Sequence, residues 1–236
     1  MIVSLLAAAA VAGWSLWPRT GLGKRQLNDQ VHFPQTAPSN SSWKLENAFG
    51  GLKFFEPTCA VAATDGTGRT FVLERRGTIQ AVLPSKGQDS GTYRKELFLD
   101  LFDRVSREPY EDDGALGMAL HPEFGQKDSP NRGYFYVFYT ANVDGQRHDR
   151  LARFTVPDGS QVADPASRLI LIDQPDQDIW HNGGALVFGP DGFLYVGVGD
   201  EGGNQPDEFQ NGQKIDKNLF SGILRIDVDQ RGGQVS

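Results

Sequence analysis

Short runs of valine and aromatic residues recur along the chain, and each follows a turn that contains glycine. Such residues are typical of β-strands. In each copy a middle strand leads into a second strand, and the middle strands begin near Phe71, Phe135 and Leu194, at steps of 64 and 59 residues. A period of this size without a helical pattern predicts four-stranded blades of a β-propeller. The alternative is a β-sandwich whose hairpins are similar by chance.

Three such repeats do not close a propeller, which usually has four to eight blades around its axis. We therefore expect the 236-residue sequence to be a fragment or to need a partner. The partial propeller is expected to occupy residues 48–236.

The N-terminal segment has a different composition. Residues 2–17 are mostly apolar and contain Ala10-Val11-Ala12, which fits the small-residue cleavage rule of signal peptides. Residues 1–20 are therefore interpreted as a signal peptide or an N-terminal membrane anchor, and export to the periplasm or the extracellular space is expected. The stretch lacks a preceding Lys or Arg and is short for a membrane span. Residues 21–47 are polar and interrupted by prolines, as in a linker.

Charge and cysteine content narrow the function classes. The net charge is −7 and no long basic run is present, so a nucleic-acid partner is not expected. Cys59 is the one cysteine of the chain, which excludes an intrachain disulfide. Its apolar neighbours favour a small buried hydrophobic residue.

The candidate chemistry lies in the third repeat. His181 precedes Gly183 and Gly184, whose missing side chains would let a ligand approach the backbone. Asp200 follows 19 residues later, after two short strands that return the chain to the same end of the sheet. A carboxylate beside a histidine fixes its tautomer and supports a general base. The alternative is a histidine bonded to a backbone carbonyl and an aspartate that caps a turn.

Four segments resemble the quinoprotein glucose/sorbosone dehydrogenases: residues 71–79, 114–124, 181–200 and 221–227. The resemblance implies an all-β fold, a six-bladed β-propeller of which this chain supplies about the first three blades. It also implies pyrroloquinoline quinone (PQQ) and calcium as cofactors, and oxidation of an aldose or related sugar alcohol at C1. His181 would be the general base and Asp200 the carboxylate that orients it. Electrons would pass to an acceptor such as a cytochrome or a quinone.

Two positions depart from that family. Trp180 stands where soluble members have an Asp, and Asp112 replaces a Gln that lies near the cofactor. Residues 111–113 are all acidic and would repel a polyanionic quinone, so a calcium ion is bound there, or cofactor binding is altered, or these residues form a solvated turn. The basic residues that pair with the quinone and the calcium-binding loop are expected beyond Ser236, so this fragment alone is expected to be inactive.

The remaining candidates favour structural roles. His121 precedes a proline in a turn, His32 and His148 are assigned to polar loops, and Arg225 is assigned to a surface or inter-blade salt bridge. A rival function is a non-enzymatic propeller that binds protein or carbohydrate, because hedgehog-interacting proteins resemble the same blades. A degenerate propeller within a larger multidomain protein is a third alternative.

Overall fold

The computed structural model describes residues 44–85, 92–106, 112–203, 205, 208–212, 214 and 216–229. The chain divides into two compact units, residues 1–46 and 47–236. Only residues 44–46 of the first unit are described, and everything below concerns the second unit. The predicted signal peptide or anchor and most of the predicted linker therefore lie outside the described residues. Within the described ranges, no helix is long and apolar enough to cross a membrane.

The described part of the chain is built from β-strands. In chain order these are β1 (Pro57–Ala62), β2 (Thr70–Glu74), β3 (Thr78–Pro84), β4 (Tyr93–Asp100), β5 (Ala115–Leu120), β6 (Tyr134–Val143), β7 (Gln146–Thr155), β8 (Asp164–Asp176), β9 (Gly183–Phe188), β10 (Leu194–Val198) and β11 (Ile223–Ile226).

The strands form three successive sheets, each antiparallel and in chain order. The first sheet is β1-β2-β3-β4, the second is β5-β6-β7-β8, and the third contains β9, β10 and β11. The first strand of each sheet lies beside the first strand of the next. This is the arrangement of propeller blades around an axis. The prediction of an all-β propeller is confirmed, and the three predicted middle strands are β2, β6 and β10.

The hairpin between β6 and β7 extends beyond the apolar residues of its two strands, because the polar residues on either side of its turn are paired as well. Both residues of its turn have positive φ angles, 52° at Asp144 and 89° at Gly145, as in the tight turns that match the twist of paired strands. His148 therefore lies on β7, opposite Ala141 of β6. Its assignment to a polar loop was wrong, because the Asp-Gly turn lets the polar residues continue the ladder.

An aromatic row joins the first two blades. Phe71 of β2 contacts Phe98 of β4 at 4.4 Å between ring centroids, and Phe98 contacts Phe135 of β6 at 5.2 Å. Phe135 then stacks on Phe154 of β7 at 5.8 Å. All four side chains are buried, so this row is a main part of the core between the blades. A second cluster packs the third sheet, through Leu194, against the second.

Candidate functional site

His181 lies between β8 and β9, in a backbone conformation that side-chain-bearing residues rarely adopt. Its φ angle is 57°. The following residue, Asn182, is buried and its side-chain amide donates to the carbonyl oxygens of Asp112 at 3.0 Å and Ile179 at 3.2 Å. The backbone N–H of His181 donates to Asp112 Oδ2 at 3.3 Å. Local strain at His181 is therefore held by contacts on both sides of it.

The structure brings His181 and Asp200 together, as their spacing predicts. The imidazole Nδ1 is 2.8 Å from Asp200 Oδ1. An ionised carboxylate only accepts hydrogen bonds, so Nδ1 carries the proton and Nε2 keeps its lone pair. The side chains are 62% and 44% exposed, respectively, so Nε2 is accessible to a small molecule. This geometry is that of an oriented general base.

The charge on Asp200 is stabilised by its surroundings. Partial burial raises its pKa, but hydrogen bonds from His181 and from the N–H of Gly202 outweigh burial and leave the pKa of Asp200 below its ordinary value. The carboxylate is therefore ionised throughout the neutral range. It can hold the imidazole orientation and balance the charge of an imidazolium.

Gly183 and Gly184 have a different role from the predicted one. A Cβ at Gly183 would lie 2.6 Å from Gly199 N and 2.7 Å from Gly197 O, and one at Gly184 would lie 2.6 Å from Leu116 Cβ. Protein atoms, not ligand space, fill the positions of the missing side chains. These glycines let β9 approach its neighbours closely and so fix the segment that carries His181.

The acidic run at residues 111–113 does not behave as one unit. Glu111 lies outside the described residues. Asp112 is exposed and holds the His181 backbone, whereas Asp113 is fully buried and forms an ion pair with Arg147 of β7. The interpretation as a solvated turn is wrong for Asp113, because its carboxylate points into the protein and meets a guanidinium there.

A small cavity of about 280 Å³ adjoins the histidine. It is lined by Arg75, Asp112, Leu116, His181, Asn182 and Gly183. Arg75 donates to the carbonyl oxygen of Asp113 at 3.1 Å and pairs with Glu56. Sequence reasoning missed Arg75. Arg75 lies within residues 71–79, one of the four segments that resemble the family, and this position was the available signal. The resemblance itself assigned no contact to Arg75.

A second feature that sequence reasoning missed is a cluster of buried carboxyl groups, which we call the acidic cluster: Asp113, Asp149, Asp176 and Glu201. None of the four side chains is more than 5% exposed. In the described part of the chain no three His, Cys, Asp or Glu side chains are arranged to hold a metal ion.

The other histidines have partners away from this site. His121 is buried, accepts the N–H of Glu123 at Nδ1 and donates from Nε2 to Asp229 at 3.0 Å, which links the second and third blades. His148 pairs with Asp173 at 2.7 Å. Arg225 pairs with Asp191 at 3.0 Å, in agreement with the salt bridge expected for it.

Both a family model and individual curated proteins match this chain. The family model "Glucose / Sorbosone dehydrogenase" matches residues 54–233. The mouse Hedgehog-interacting protein is 30% identical over 194 residues, which is 78% of this chain and 26% of that protein. The human protein of the same name is 30% identical over 217 residues, covering 88% and 29%. The chain thus spans less than a third of the length of these relatives.

Solved structures give the same fold. The PQQ-bound aldose sugar dehydrogenase from Streptomyces coelicolor is 26% identical, with a TM-score of 0.56, and the match covers 77% of this chain and 47% of that chain. The apo form of the soluble aldose sugar dehydrogenase from Escherichia coli, 19% identical with a TM-score of 0.54, matches 73% and 44% and supports the fold alone. From the family match, which covers most of its length, this chain belongs to the glucose/sorbosone dehydrogenase family.

Proposed function

We propose that this chain carries the proton-accepting part of a PQQ-dependent dehydrogenase that oxidises an aldose or related sugar alcohol at C1. The observation that carries the proposal is the 2.8 Å contact between His181 Nδ1 and Asp200 Oδ1, which leaves Nε2 outside this hydrogen bond. In this role Nε2 accepts the proton of the C1 hydroxyl. Asp200 keeps the imidazole in the required tautomer and stabilises the imidazolium that forms.

The residues around the histidine suit one edge of the quinone. Arg75 and Asn182 line the cavity beside His181, and Asn182 Oδ1 is buried without a hydrogen-bond partner in the described structure, so it can accept an N–H group. When bound, PQQ would supply the hydride acceptor, and calcium would supply the positive charge that activates it. Asp112 lines the same cavity, and its Oδ2 accepts the His181 N–H.

The test uses full-length protein reconstituted with PQQ and calcium. Dye reduction with a panel of aldoses and the quinone absorbance are measured for wild type, His181→Ala and His148→Ala. His148 is a matched control because its aspartate partner is Asp173 rather than Asp200. We expect His181→Ala to lose turnover by about 100-fold or more with quinone binding retained. Turnover that survives in His181→Ala excludes this residue as the base.

A second candidate function is protein binding without catalysis, and the specific observation for it is the 30% identity with Hedgehog-interacting proteins over most of this chain. Trp180, which replaces an acidic residue of the soluble enzymes next to the base, is 41% exposed and suits a binding surface. Wild-type protein that neither changes the quinone absorbance nor reduces dye would favour this alternative.

A further inference from the structure

The acidic cluster has more negative groups than its surroundings can balance if all four are ionised. Asp149 is 1% exposed, and neither of its carboxylate oxygens has a hydrogen-bond partner in the described structure. One oxygen each of Asp113 and Asp176 is buried and unpartnered as well. An unpaired buried carboxylate is strongly disfavoured, so such a group is protonated or finds a cation.

Among the described residues, Arg147 is a cation that faces this cluster. It pairs with Asp113 and lies directly opposite Asp176 in the ladder between β7 and β8. Asp149 lies two residues further along β7, on the same face as Arg147. One guanidinium cannot balance four carboxylates. A proton on Asp149 removes the unpaired charge from the member whose two oxygens both lack a hydrogen-bond partner in the described structure.

Two members of the cluster, Asp113 and Glu201, are each next in sequence to a residue that contacts His181. Asp113 follows Asp112, which accepts the His181 N–H. Glu201 follows Asp200, which binds the imidazole. Asp113 therefore lies on the segment that holds the His181 backbone, and Glu201 lies on the segment that carries Asp200.

A third segment, which begins at Asp176, is hydrogen-bonded to Glu201. Asp176 precedes Gln177, whose backbone N–H donates to Glu201 Oε1 at 3.1 Å. Asn211 donates both to Glu201 and, at 3.1 Å, to the carbonyl oxygen of Asp200. Glu201 and Asn211 therefore link the segment that precedes His181 to the segment that carries Asp200.

We propose that Arg147, together with Asp149 as a protonated carboxylic acid, forms a positioning centre that holds His181 and Asp200 in their hydrogen-bonded geometry. The effect of this centre on catalysis rests on the proposed function. Its effect on the hydrogen bond between His181 and Asp200 does not. The groups that face Asp149 are Arg147 on its own strand, Asp176 of β8, Asp113 before β5 and Glu201 after β10.

The electrostatics of the cluster agree with this assignment. Burial, followed by repulsion from Asp176, Asp113 and Glu201, raises the pKa of Asp149 to about 8, and Arg147 opposes the increase. Burial also raises the pKa of Asp176 to about 7, with Glu201 and Asp113 contributing and the N–H of Asp178 opposing. Asp149 thus keeps its proton at neutral pH, and the loss of this proton in mild alkali adds repulsion among the carboxyl groups of the cluster.

The test follows the hydrogen-bonded Nδ1–H proton of His181 by NMR in full-length protein, with turnover measured in parallel. We expect Arg147→Met to lose this resonance and to lower kcat by about 10- to 100-fold with KM little changed. Arg147→Lys should partly restore both. Arg225→Met, which removes an arginine paired with Asp191 instead, is the matched control and should change neither.

Asp149→Asn keeps the shape of the acid but cannot ionise. In wild type we expect the resonance to weaken as pH rises through about 8, and in Asp149→Asn to persist to higher pH. The same pH limit in both proteins, or a resonance that survives Arg147→Met, overturns the proposal. If Arg147→Met does not fold, the Asp149→Asn comparison still decides. Absence of turnover in wild type refutes the proposed function alone, since the resonance reports geometry independently.

Discussion

Replacing Gly183 by Ala should damage both the stability and the chemistry of this protein, because the residue lies in a space that a side chain cannot enter. The φ angle is 83°, which favours glycine, and the added Cβ would lie 2.6 Å from Gly199 N and 2.7 Å from Gly197 O. Ordinary contacts of this kind are 3.4 Å or longer, so β9 must shift from β10 by roughly 0.8 Å.

The expected magnitude follows from these two effects. The unfavourable φ contributes roughly 1 kcal/mol and the overlap roughly 1–3 kcal/mol, so the free energy of unfolding should fall by about 2–4 kcal/mol. A displacement close to 1 Å beside His181 should also stretch its 2.8 Å hydrogen bond to Asp200 and lower kcat by on the order of 100-fold.

Gly197→Ala is the matched control on the neighbouring strand. Its Cβ would lie 3.5 Å from Ala185 Cβ, an ordinary contact, so stability should change by less than about 1 kcal/mol. Urea unfolding measures the free energies of all three proteins, and dye reduction measures turnover. If Gly183→Ala unfolds at the same urea concentration as Gly197→Ala and retains turnover, close packing does not hold this segment and the reasoning is refuted.

Three further outcomes are expected. Asp200→Asn should lower kcat by about 100-fold or more with the fold intact, because an amide does not hold the imidazole in its basic tautomer; steady-state kinetics and circular dichroism check this. The pKa of Asp149 in the fold, about 8, lies above the ordinary 3.8, so the folded chain keeps a proton that the unfolded chain releases. The contribution of Asp149 to stability is therefore full in acid and is lost as pH rises from about 4 to 8, by on the order of 5 kcal/mol, so Asp149→Asn should gain stability relative to wild type as pH rises when urea unfolding is compared at pH 5, 7 and 9. Phe135→Ala should lower the free energy of unfolding by about 3–5 kcal/mol, measured by the same method, and an effect below about 1 kcal/mol would contradict its place in the core.

Much of the fold could be predicted because its signals are local. Glycine turns and alternating apolar residues repeat at a nearly constant spacing, and they mark β2, β6 and β10 directly. The approach of His181 to Asp200 also follows from local geometry, since two antiparallel strands return the chain to its starting end. The β6–β7 hairpin was underestimated although Asp144-Gly145 is a strong hairpin signal.

The acidic cluster could not be predicted in this way. Arg147 and Asp176 are 29 residues apart and meet only because β7 and β8 pair in one particular register, and Asp113 reaches them from another strand connection. Register between distant strands is set by packing of the whole sheet, not by any short motif. For the same reason the sequence could not distinguish Asp112, which is exposed, from Asp113 beside it, which is buried.

The aromatic row between the first two blades has a consequence for how the protein opens. Phe98 comes from the outermost strand of one blade and packs against Phe135 in the middle of the next. Neither blade can separate without exposing rings of both to water. Backbone amides of β2 and β6 should therefore exchange their hydrogens with one common opening free energy, through a shared opening event, rather than blade by blade as in loosely coupled repeats.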